Sequence, residues 1–478
     1  MSAALKAARV ALSGERAWLV GGATRDRELG RESADLDVVV DVDPAQAARA
    51  VARAAGGAAC FALSEDFGSW RVVARDRSWQ VDLEPMRGGS LEEDLALRDF
   101  TVNAIAEPIQ GGPPIDPLGG LADLAARRLR MAGPDAFLED PLRVLRLVRV
   151  AVELDMVAEP ETMQRARAQA ENLRKVSAER VFVELRRIIA SDQALRGLDL
   201  LAELGATAVV LPELEALRGI EQNRYHHLDV YGHTIEVLAQ TIALGSDPPP
   251  GQPQTALLER HGAAIDALLE EPLADGLTRG DALRWGALLH DAAKPLTRAV
   301  RPGDGRVTFI GHDVRGAALA REVLERLRAS ERLRGHVAAL VRHHLRAGFL
   351  VHEPQPLGRR AVYTYLSATT PVEADVTLLS IADRLATRGD RAPEAIDAHL
   401  SVADGLLTDA LRWRSQGRPH PLVRGDELAR ALGIATGPRV GEILEQLAEA
   451  QYAGELSSRE EAIAYARAQD THEYRGSQ

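Results

Sequence analysis

Two aspartates near the N-terminus have the spacing of a metal-binding carboxylate pair. Asp35 and Asp37 lie two residues apart, and the apolar residues 38–40 follow them. In a β-strand, residues i and i+2 point to the same side of the sheet, so the two carboxylates would lie together. Such a pair repels itself unless a cation lies between its members, and hard oxygen ligands favour Mg²⁺, which also binds substrate phosphates. The same residues also fit an acidic turn at a strand start, since Asp41 and Asp43 continue the acidic run.

A glycine turn precedes this pair. Gly21 and Gly22 follow the apolar segment 17–20, and Arg25 comes three residues later. Glycines let a backbone pass close to a phosphate, and the N–H groups that begin a helix face an anion. The turn therefore predicts a phosphate-binding element. A Gly-Gly pair also ends many strands, however, and this one matches neither the dinucleotide-binding pattern nor the P-loop.

Further charged residues fall at helical spacing. Arg98, Asp99 and Asn103 are four or five residues apart and would share one helix face. Asp140 precedes Pro141, which is typical of a helix N-cap with proline at the first helical position. Three arginines then follow at intervals of three residues: Arg143, Arg146 and Arg149. This stripe indicates either a phosphate-binding groove or a solvated helix face.

The C-terminal half carries a second candidate metal site. His290 and Asp291 are adjacent, His233 precedes them and Asp383 follows. Single histidines on helices are usually structural or exposed, but neutral imidazoles combined with carboxylates suit Mn²⁺, Ni²⁺ or Zn²⁺. Adjacent residues on a helix diverge by about 100°, yet both can reach one ion at its side.

Two kinds of segment would position these residues. Residues 16–110 alternate short β-like segments with turns and helical stretches, and the predicted strands are 17–20, 37–40, 70–73 and 79–83. From about residue 120, apolar residues recur at helical spacing and strand patterns nearly vanish. The sequence therefore predicts an α/β or α+β domain followed by an all-helical remainder.

The composition limits the class of protein. The chain has 478 residues, 46% of them apolar and 4% aromatic, and a net charge of −12. Its one cysteine cannot form an internal disulfide, no apolar stretch is long enough to span a membrane, and no secretory signal is found. We therefore expect a cytoplasmic protein without a membrane partner. The acidic total argues against unselective coating of nucleic acid but allows a local basic groove.

Taken together and in this order, the motifs of the N-terminal half resemble those of one family. They are Gly-Gly-x-x-Arg-Asp at 21–26, Asp-x-Asp at 35–37, Arg-Asp-Phe-Thr-x-Asn-Ala at 98–104, Asp-Pro-x-Gly-Gly-x-x-Asp-Leu at 116–124 and Glu-Asp-Pro-x-Arg-x-Leu-Arg-x-x-Arg at 139–149. This combination is similar to that of the bacterial class II tRNA nucleotidyltransferase and poly(A) polymerase family. The resemblance implies an α+β nucleotidyltransferase head with a small mixed sheet over 1–125, followed by a helical neck over 126–219 that selects the base and binds RNA.

The resemblance also implies roles for single residues. Asp35 and Asp37 would be the catalytic pair and would hold Mg²⁺, which activates the RNA 3′-hydroxyl and neutralises the leaving pyrophosphate. Asp82 or Glu84 would add a third carboxylate. The residues assigned to nucleotide binding are Gly22, Arg25, Arg98, Asp140, Arg143, Arg146 and Arg149.

Within that set, the resemblance assigns the choice of base to Asp140 and Arg143. A carboxylate accepts a hydrogen bond from the exocyclic amino group of CTP or ATP, whereas UTP and GTP present a carbonyl oxygen there. We therefore expect addition of the 3′-terminal CCA, or part of it, to tRNA from CTP and ATP. A poly(A) polymerase, an A-adding enzyme or a CC-adding enzyme shares the same motifs.

The His/Asp set resembles the HD metal-dependent phosphohydrolase superfamily, here over a domain at 220–400 that precedes a helical tail at 401–478. His233, His290, Asp291 and Asp383 match its H…HD…D pattern. His312 and either His336 or His343 would complete a larger site. The resemblance implies phosphatase or phosphodiesterase activity. The alternatives are a spacer that keeps its ligands without turnover, an HD phosphohydrolase with an inactive head, and an RNA-binding scaffold without catalysis.

Overall fold

The computed structural model describes residues 2–31, 33–64, 68–222, 227–244, 251–389 and 391–476. The chain divides into two compact units, Met1–Val210 and Leu211–Gln478. No helix in these described ranges combines the length and the apolarity that crossing a bilayer requires.

A mixed sheet forms the head of the first unit. Its strands are β1 (Ala17–Val20), β2 (Asp35–Val40), β3 (Ala59–Ser64), β4 (Ser69–Val73), β5 (Gln80–Pro85) and β6 (Ala106–Pro108). Their order is β3-β4-β5-β2-β1-β6, and only β2 and β5 run parallel. The four predicted strands are present, whereas β3 and β6 were missed. β6 has only three residues, and β3 lies at the sheet edge with Phe61 and Leu63 exposed, so neither shows a buried apolar period.

Alternation along β2 decides which side chains reach the site. Leu36 and Val38 are buried in the core on one face of the sheet. Asp35, Asp37 and Val39 point to the other face, where Val39 joins a second apolar cluster. The helices of the head are α1 (Ala3–Ala11), α2 (Gly21–Glu28), α3 (Pro44–Ala54), α4 (Leu91–Ala96) and α5 (Gly120–Ala125).

The segment 116–124 serves the fold. The Asp116 carboxylate accepts a hydrogen bond from the Gly120 backbone N–H at 2.7 Å and so caps α5. The buried Asp123 accepts one from the Thr101 hydroxyl, also at 2.7 Å. Helix α5 thereby fixes the 3₁₀ turn Thr101–Asn103, which carries a residue of the site described below.

The rest of the first unit is helical. Its helices are α6 (Ala136–Glu139), α7 (Arg143–Glu153), α8 (Pro160–Gln169), α9 (Ala178–Ala190), α10 (Ala194–Glu203) and α11 (Thr207–Val210), with a 3₁₀ segment at Ala170–Lys175. Helix α7 lies against α9 and α10 and is buried along most of its length. The two-residue strands β7 (Arg128–Leu129) and β8 (Val157–Ala158) pair in parallel beside it.

The second unit is almost entirely helical. Its helices are α12 (Pro212–Glu215), α13 (Val230–Ala243), α14 (Thr255–Leu269), α15 (Arg279–Leu289), α16 (Lys294–Thr297), α17 (His312–Arg326), α18 (Glu331–His343), α19 (Arg346–Leu350), α20 (Arg359–Thr369), α21 (Glu373–Ala386), α22 (Ala392–Gln416), α23 (Gly425–Leu432), α24 (Pro438–Ala453) and α25 (Arg459–Gly476). The last three helices share a separate apolar cluster.

The architecture confirms the predicted α+β head followed by helical segments. One detail differs, since short strand pairs also occur beyond residue 120. Besides β7 and β8, these are β9 (Pro272–Ala274) with β10 (Leu277–Thr278) and β11 (Ala299–Val300) with β12 (Val307–Thr308). Strands of two or three residues are too short to show an alternating period, so the sequence pattern could not reveal them.

The close packing of α5 gives a first prediction. A Cβ atom at Gly120 would overlap the carbonyl oxygen of Thr101, a backbone atom that cannot rotate away. We expect Gly120→Ala to destabilise the protein by roughly 1–3 kcal/mol and to lower its calorimetric unfolding temperature by several degrees. Gly14→Ala is the matched control, because no atom lies within 4 Å of the added methyl group there. Equal unfolding temperatures of the two variants would contradict this account.

Candidate functional site

One cavity of about 400 Å³ in the first unit is lined by all nine residues that the sequence predicts for the catalytic and nucleotide-binding site. They are Gly22, Arg25, Asp35, Asp37, Arg98, Asp140, Arg143, Arg146 and Arg149. Among the described residues, eight arginines and six carboxylates line this cavity. Residues up to 166 positions apart in the chain thus form one highly charged pocket.

The carboxylates predicted to bind metal lie on the parallel strands β2 and β5. Asp37 is paired in register with Asp82, which is held by two hydrogen bonds of 2.7 Å from Arg71. Glu84 instead faces the cavity, where its carboxylate lies 3.8 Å from Arg98. Of the two candidates for a third carboxylate, Glu84 is therefore the one that lines the cavity with Asp37.

Asp37 is a poorly neutralised carboxylate. Burial raises its pKa to about 6, and the negative charge of Glu84 adds to this shift, while Arg98 opposes it. A cluster of carboxylate oxygens with incomplete protein compensation matches the donors that a hard divalent cation prefers. These residues therefore fit a divalent metal site.

The glycine turn lies directly beside this cluster. Gly21 has φ of +69°, a left-handed conformation that favours glycine, and a Cβ added there would lie 3.0 Å from the nearer Asp37 carboxylate oxygen. Val20, which precedes the turn, pairs in register with Asp37. The N-terminus of α2 thus begins next to the carboxylate pair.

A buried hydrogen-bond network orients Arg25. Its Nη1 donates to the Asn103 amide oxygen at 2.6 Å, and Asn103 in turn donates to Asp99 at 3.0 Å. Arg146 donates to the same Asp99 carboxylate at 2.8 and 2.5 Å. The prediction that Arg98, Asp99 and Asn103 share a helix face was wrong, because α4 ends at Ala96 and Asn103 lies in the 3₁₀ turn. The contact between Asp99 and Asn103 comes from this turn.

The arginine stripe lies along α7 as its spacing predicted. Arg149 donates to Glu184 on α9 at 2.5 Å and to Glu153 at 2.9 Å, so carboxylates hold its guanidinium on two sides. Arg143 donates to the backbone oxygens of Leu97 and Ala136 at 2.7 and 3.0 Å. The three arginines are therefore held in fixed orientations at the cavity wall.

Asp140 departs from its predicted place at a helix N-cap. Helix α7 begins at Arg143, and residues 141 and 142 form a turn in which Asp140 accepts a hydrogen bond from the Leu142 N–H at 3.2 Å. The N–H groups of residues 143–145 bond to carbonyl oxygens three residues earlier, and the first bond of α-helical spacing runs from the Arg146 N–H to the Leu142 oxygen at 3.1 Å, so the regular helix starts late. The second carboxylate oxygen of Asp140 accepts a hydrogen bond from Arg180 on α9 at 2.7 Å.

The His/Asp set forms a compact buried cluster in the second unit. His233 Nε2 lies 3.0 Å from Asp383 and 3.8 Å from Asp291, and His290 Nε2 lies 3.1 Å from Asp291. His312 Nε2 lies 3.3 Å from the other Asp291 oxygen. Asp291 thus stands between two groups of potential ligand atoms, each within 4.8 Å of one another: His233, His290 and Asp291, and Asp291, His312 and His344.

Backbone carbonyl groups orient three of these imidazoles. The Nδ1 atoms of His290, His312 and His344 lie 2.7–2.8 Å from the carbonyl oxygens three residues earlier. A carbonyl oxygen only accepts, so Nδ1 carries the proton and Nε2 presents its lone pair towards the cluster. Burial also lowers the pKa of His344 to about 4, which keeps this imidazole neutral. This donor set fits a divalent transition metal.

The larger set includes His312 as expected, but its further member is His344. His336 instead lies 3.5 Å from Asp375, and His343 accepts a hydrogen bond from Arg346 at 2.8 Å. The expectation for His336 or His343 was therefore wrong. His344 follows the last residue of α18, and adjacent residues on a helix point about 100° apart, so the phase of the helix selects between the two neighbouring histidines.

Comparisons with known proteins cover nearly the whole chain. Three family models match: the poly A polymerase head domain over 17–130, the probable RNA and SrmB-binding site of polymerase A over 155–217, and the HD domain over 230–388. The A-adding tRNA nucleotidyltransferase of Deinococcus radiodurans is 38% identical over 454 residues, or 94% of each chain. This chain belongs to the tRNA nucleotidyltransferase family.

Further relatives of this nucleotidyltransferase differ in their named products. The CC-adding tRNA nucleotidyltransferase of Thermus thermophilus is 35% identical over 94% of this chain and 92% of its own. The Multifunctional CCA protein of Xanthomonas campestris is 32% identical over 87% of this chain and 96% of its own. The Thermotoga maritima CCA-adding enzyme complexed with tRNA shares the fold, with a TM-score of 0.61 and 18% identity over 97% of this chain and 95% of its own.

Several residues of the nucleotidyltransferase site were not assigned a partner or a positioning role from the sequence. Glu184 and Arg180 lie on α9, and only the fold brings them to Arg149 and Asp140. Asn103 was recognised in its motif but was not assigned a role, although it orients Arg25. A search for buried carboxylates and amides that face the arginine stripe would have found these partners, and such a search requires the tertiary structure.

The electrostatics of Asp37 give a prediction for the metal-free nucleotidyltransferase. Its folded-state pKa of about 6 lies above its ordinary value of 3.8, so the folded state binds more protons between these values and stability falls as the pH rises from about 4 to 6. We expect Asp37→Asn to remove this contribution, so that its unfolding temperature in EDTA exceeds that of the wild type at pH 7.5 and approaches it near pH 4. Asp41→Asn, at an exposed carboxylate, should keep the wild-type pH profile. Parallel profiles for wild type and Asp37→Asn would contradict the assignment.

Proposed function

We propose that this chain adds the 3′-terminal CCA, or part of it, to tRNA from CTP and ATP. The observation that carries the proposal is the single cavity in which the Asp35/Asp37 pair meets the glycine turn and the arginines of α7. The relatives named as A-adding and CC-adding enzymes support the partial reactions as well as the complete one. Because the substrates are tRNA and nucleoside triphosphates, we expect the reaction in the cytoplasm.

Metal binding is the task of the carboxylates. Asp35 and Asp37 would hold Mg²⁺ with support from Glu84, and the bound ion would activate the RNA 3′-hydroxyl and neutralise the leaving pyrophosphate. The raised pKa of Asp37 supports this role, because a nearby divalent cation would favour its charged form. Arg71 holds Asp82 in an ion pair, which leaves the other carboxylates of this face to the cation.

The arginines would bind and orient the triphosphate. Arg25 is fixed by Asn103 and Asp26, and Arg98 lies between Asp94 and Glu84, so both guanidinium groups are oriented before the substrate arrives. Nucleotidyl transfer depends mainly on positioning and charge neutralisation, and fixed donors avoid the cost of reorientation. Arg146 donates to Asp99, and Arg149 donates to Glu184 and Glu153. These two arginines would therefore act as positioning residues for the side chains that contact the triphosphate.

The base would be selected by Asp140 and Arg143. One Asp140 oxygen accepts from the Leu142 N–H and the other from Arg180, and a carboxylate has further lone pairs with which to accept from an exocyclic amino group. UTP or GTP would bring a carbonyl oxygen to this carboxylate, and an unpaired polar group of this kind costs roughly 1–3 kcal/mol. Arg143, fixed by two backbone carbonyl oxygens, would donate to the neighbouring ring acceptor.

We assign the head to residues 1–125, the neck to 126–219, the HD domain to 220–400 and the helical tail to 401–478. The family matches at 17–130, 155–217 and 230–388 support this order of domains. The division of the chain into units near residue 210 supports a boundary close to the end of the neck.

A primer-extension assay tests the main proposal. The purified protein is incubated with Mg²⁺ and tRNA that lacks its last three nucleotides. A CCA-adding enzyme should add three nucleotides from CTP plus ATP, and a CC-adding enzyme should add two from CTP alone. An A-adding enzyme should add one A to tRNA that ends in CC. We expect Asp35→Asn and Asp37→Asn to remove incorporation while tRNA binding persists, and Arg143→Ala to weaken the preference for CTP and ATP. Asp41→Asn serves as the control carboxylate. Absence of incorporation on all these tRNAs by the wild type would refute the proposal.

A second activity is favoured by the cluster around Asp291. We propose that the HD domain is a metal-dependent phosphatase or phosphodiesterase that uses Mn²⁺, Ni²⁺ or Zn²⁺. Supporting this proposal, three imidazoles are fixed in the tautomer that ligates through Nε2, and Asp291 offers both oxygens between them. Lys294, 2.6 Å from Asp291, would keep this carboxylate charged and oriented.

Metal analysis tests this second activity. We expect His290→Ala and His344→Ala to lower the bound-metal content and to remove hydrolysis of 2′,3′-cyclic AMP and p-nitrophenyl phosphate, while tRNA extension remains. Removal of a group that only orients a metal ligand typically lowers metal affinity by about 10- to 100-fold, so removal of a ligand itself should lower it by at least about 10-fold. His420→Ala, at an exposed histidine of the tail, is the control. Full metal content in the His290→Ala and His344→Ala variants would refute the assignment.

A further inference from the structure

A large cavity opens beside the His/Asp cluster of the second unit. Its volume is about 720 Å³, within the usual range of small-molecule sites. Asp291, His312 and Asp383 of the cluster lie in its wall. The remainder of the wall includes three cations, Lys294, Arg306 and Arg384. It also includes large apolar side chains, among them Phe309, Ile310 and Phe349.

Lys294 and Arg384 differ in the partners of their charged groups. The Lys294 ammonium lies 2.6 Å from Asp291 and 2.6 Å from the Gln222 side-chain oxygen, so its charge is used within the protein. Arg384 donates one hydrogen bond, from Nη2 to the Thr387 carbonyl oxygen at 3.0 Å. Its Nε is buried without a hydrogen-bond partner, and within the described ranges no carboxylate forms an ion pair with its guanidinium. Among the described residues, no carboxylate is therefore paired with the Arg384 guanidinium, although the charge of the adjacent Asp383 acts on it.

A guanidinium in this position is suited to an anion that enters the cavity. Burying a donor without a partner costs free energy, and so does removing a charge from water without a counter-ion. The planar fork of arginine matches the oxygens of a phosphate group and binds them in pairs. Arg384 follows Asp383 in the chain and lines the same cavity as Asp291, so a phosphate held by Arg384 would lie close to the cluster.

The apolar residues at the cavity indicate what else the ligand carries. Ile310 is 85% exposed and Phe349 is 66% exposed, and both line the cavity with Arg384. Exposed large apolar side chains at a binding cavity favour a ligand with its own apolar surface. A nucleobase provides such a surface, because its flat face stacks on aromatic side chains regardless of its identity.

We propose that this cavity binds a nucleoside phosphate, with the phosphate on Arg384 and the base against Phe349 and Ile310. The inference rests on the proposed hydrolase function of the HD domain and adds the residues that recognise its substrate. Arg384 would hold the phosphate for attack at the cluster, and Phe349 would distinguish nucleotides from other phosphate esters. The ligand is either a free nucleotide or the phosphorylated 3′ end of an RNA, which share this chemistry.

Calorimetric binding to the full-length protein tests the proposal. All proteins carry Asp37→Asn, so that the head contributes no metal-dependent nucleotide binding, and all are loaded with Mn²⁺. The probes are inorganic phosphate, adenosine 3′-phosphorothioate as a slowly hydrolysed nucleotide, and a trinucleotide with a 3′-phosphorothioate. The variants are Arg384→Gln, Arg384→Lys and Phe349→Ala, with Arg388→Gln as the control at an exposed arginine one turn further along the chain.

We expect Arg384→Gln to keep its bound Mn²⁺ and to lose at least about 10-fold in affinity for all three probes, as for the loss of a charge-assisted hydrogen bond. Arg384→Lys should be intermediate, because it keeps the charge without the fork. Phe349→Ala should bind phosphate normally and lose affinity only for the two nucleotide probes. Tighter binding of the trinucleotide would identify an RNA end as the ligand, and equal binding would identify a free nucleotide.

Three results would overturn all or part of the inference in distinguishable ways. If the parent protein hydrolyses phosphate esters while Arg384→Gln binds phosphate as the parent does, the role of Arg384 is wrong and the hydrolase function stands. If the parent protein binds no Mn²⁺ at the cluster and hydrolyses no phosphate ester, the hydrolase function fails and the inference fails with it. Equal affinity of Phe349→Ala and its parent for the nucleotide probes would refute the base contact.

Discussion

The ion pair between Asp99 and Arg146 is the interaction on which the head site depends. Burial by itself raises the pKa of Asp99, but Arg146 and the Asn103 amide outweigh it and hold the pKa below its usual value. A buried carboxylate is tolerated only with such partners, and removal of one leaves the others unpaired. Because Asn103 also orients Arg25, the pair connects helix α2, which begins at the glycine turn, to helix α7.

In the second unit, backbone groups orient the side chains of the site. Three of its imidazoles, on His290, His312 and His344, are oriented by carbonyl oxygens three residues earlier in the chain, so these ligands are fixed by their own local segments. Asp291 is the shared centre, and the Lys294 ammonium balances its charge. The head orients its arginines through tertiary contacts, whereas this cluster is oriented locally and needs only the correct packing of helices.

This difference explains how far the sequence predicts each site. The strand period correctly placed Asp35 and Asp37 on one side of β2, and helical spacing correctly placed the arginine stripe, because both follow from local geometry. The choice between His343 and His344 depends on the rotation of α18 about its axis, which packing decides. The turn that precedes α7 is made by local backbone hydrogen bonds, and the turn that carries Asn103 is held by contacts with α5, so apolar periodicity could not show them.

The balance of charges in the head cavity explains why an enzyme that binds phosphates keeps a pair of aspartates at its centre. Eight arginines and six carboxylates line the cavity within the described residues, so the net positive charge is small. Most of the carboxylates act as partners that fix the arginines, and they reduce the charge available to a triphosphate. The missing positive charge must come from outside the chain. Asp35 and Asp37 would attract divalent cations, which carry this positive charge. The raised pKa of Asp37 supports this role, because it shows that the protein's own cations do not fully stabilise the charged carboxylate.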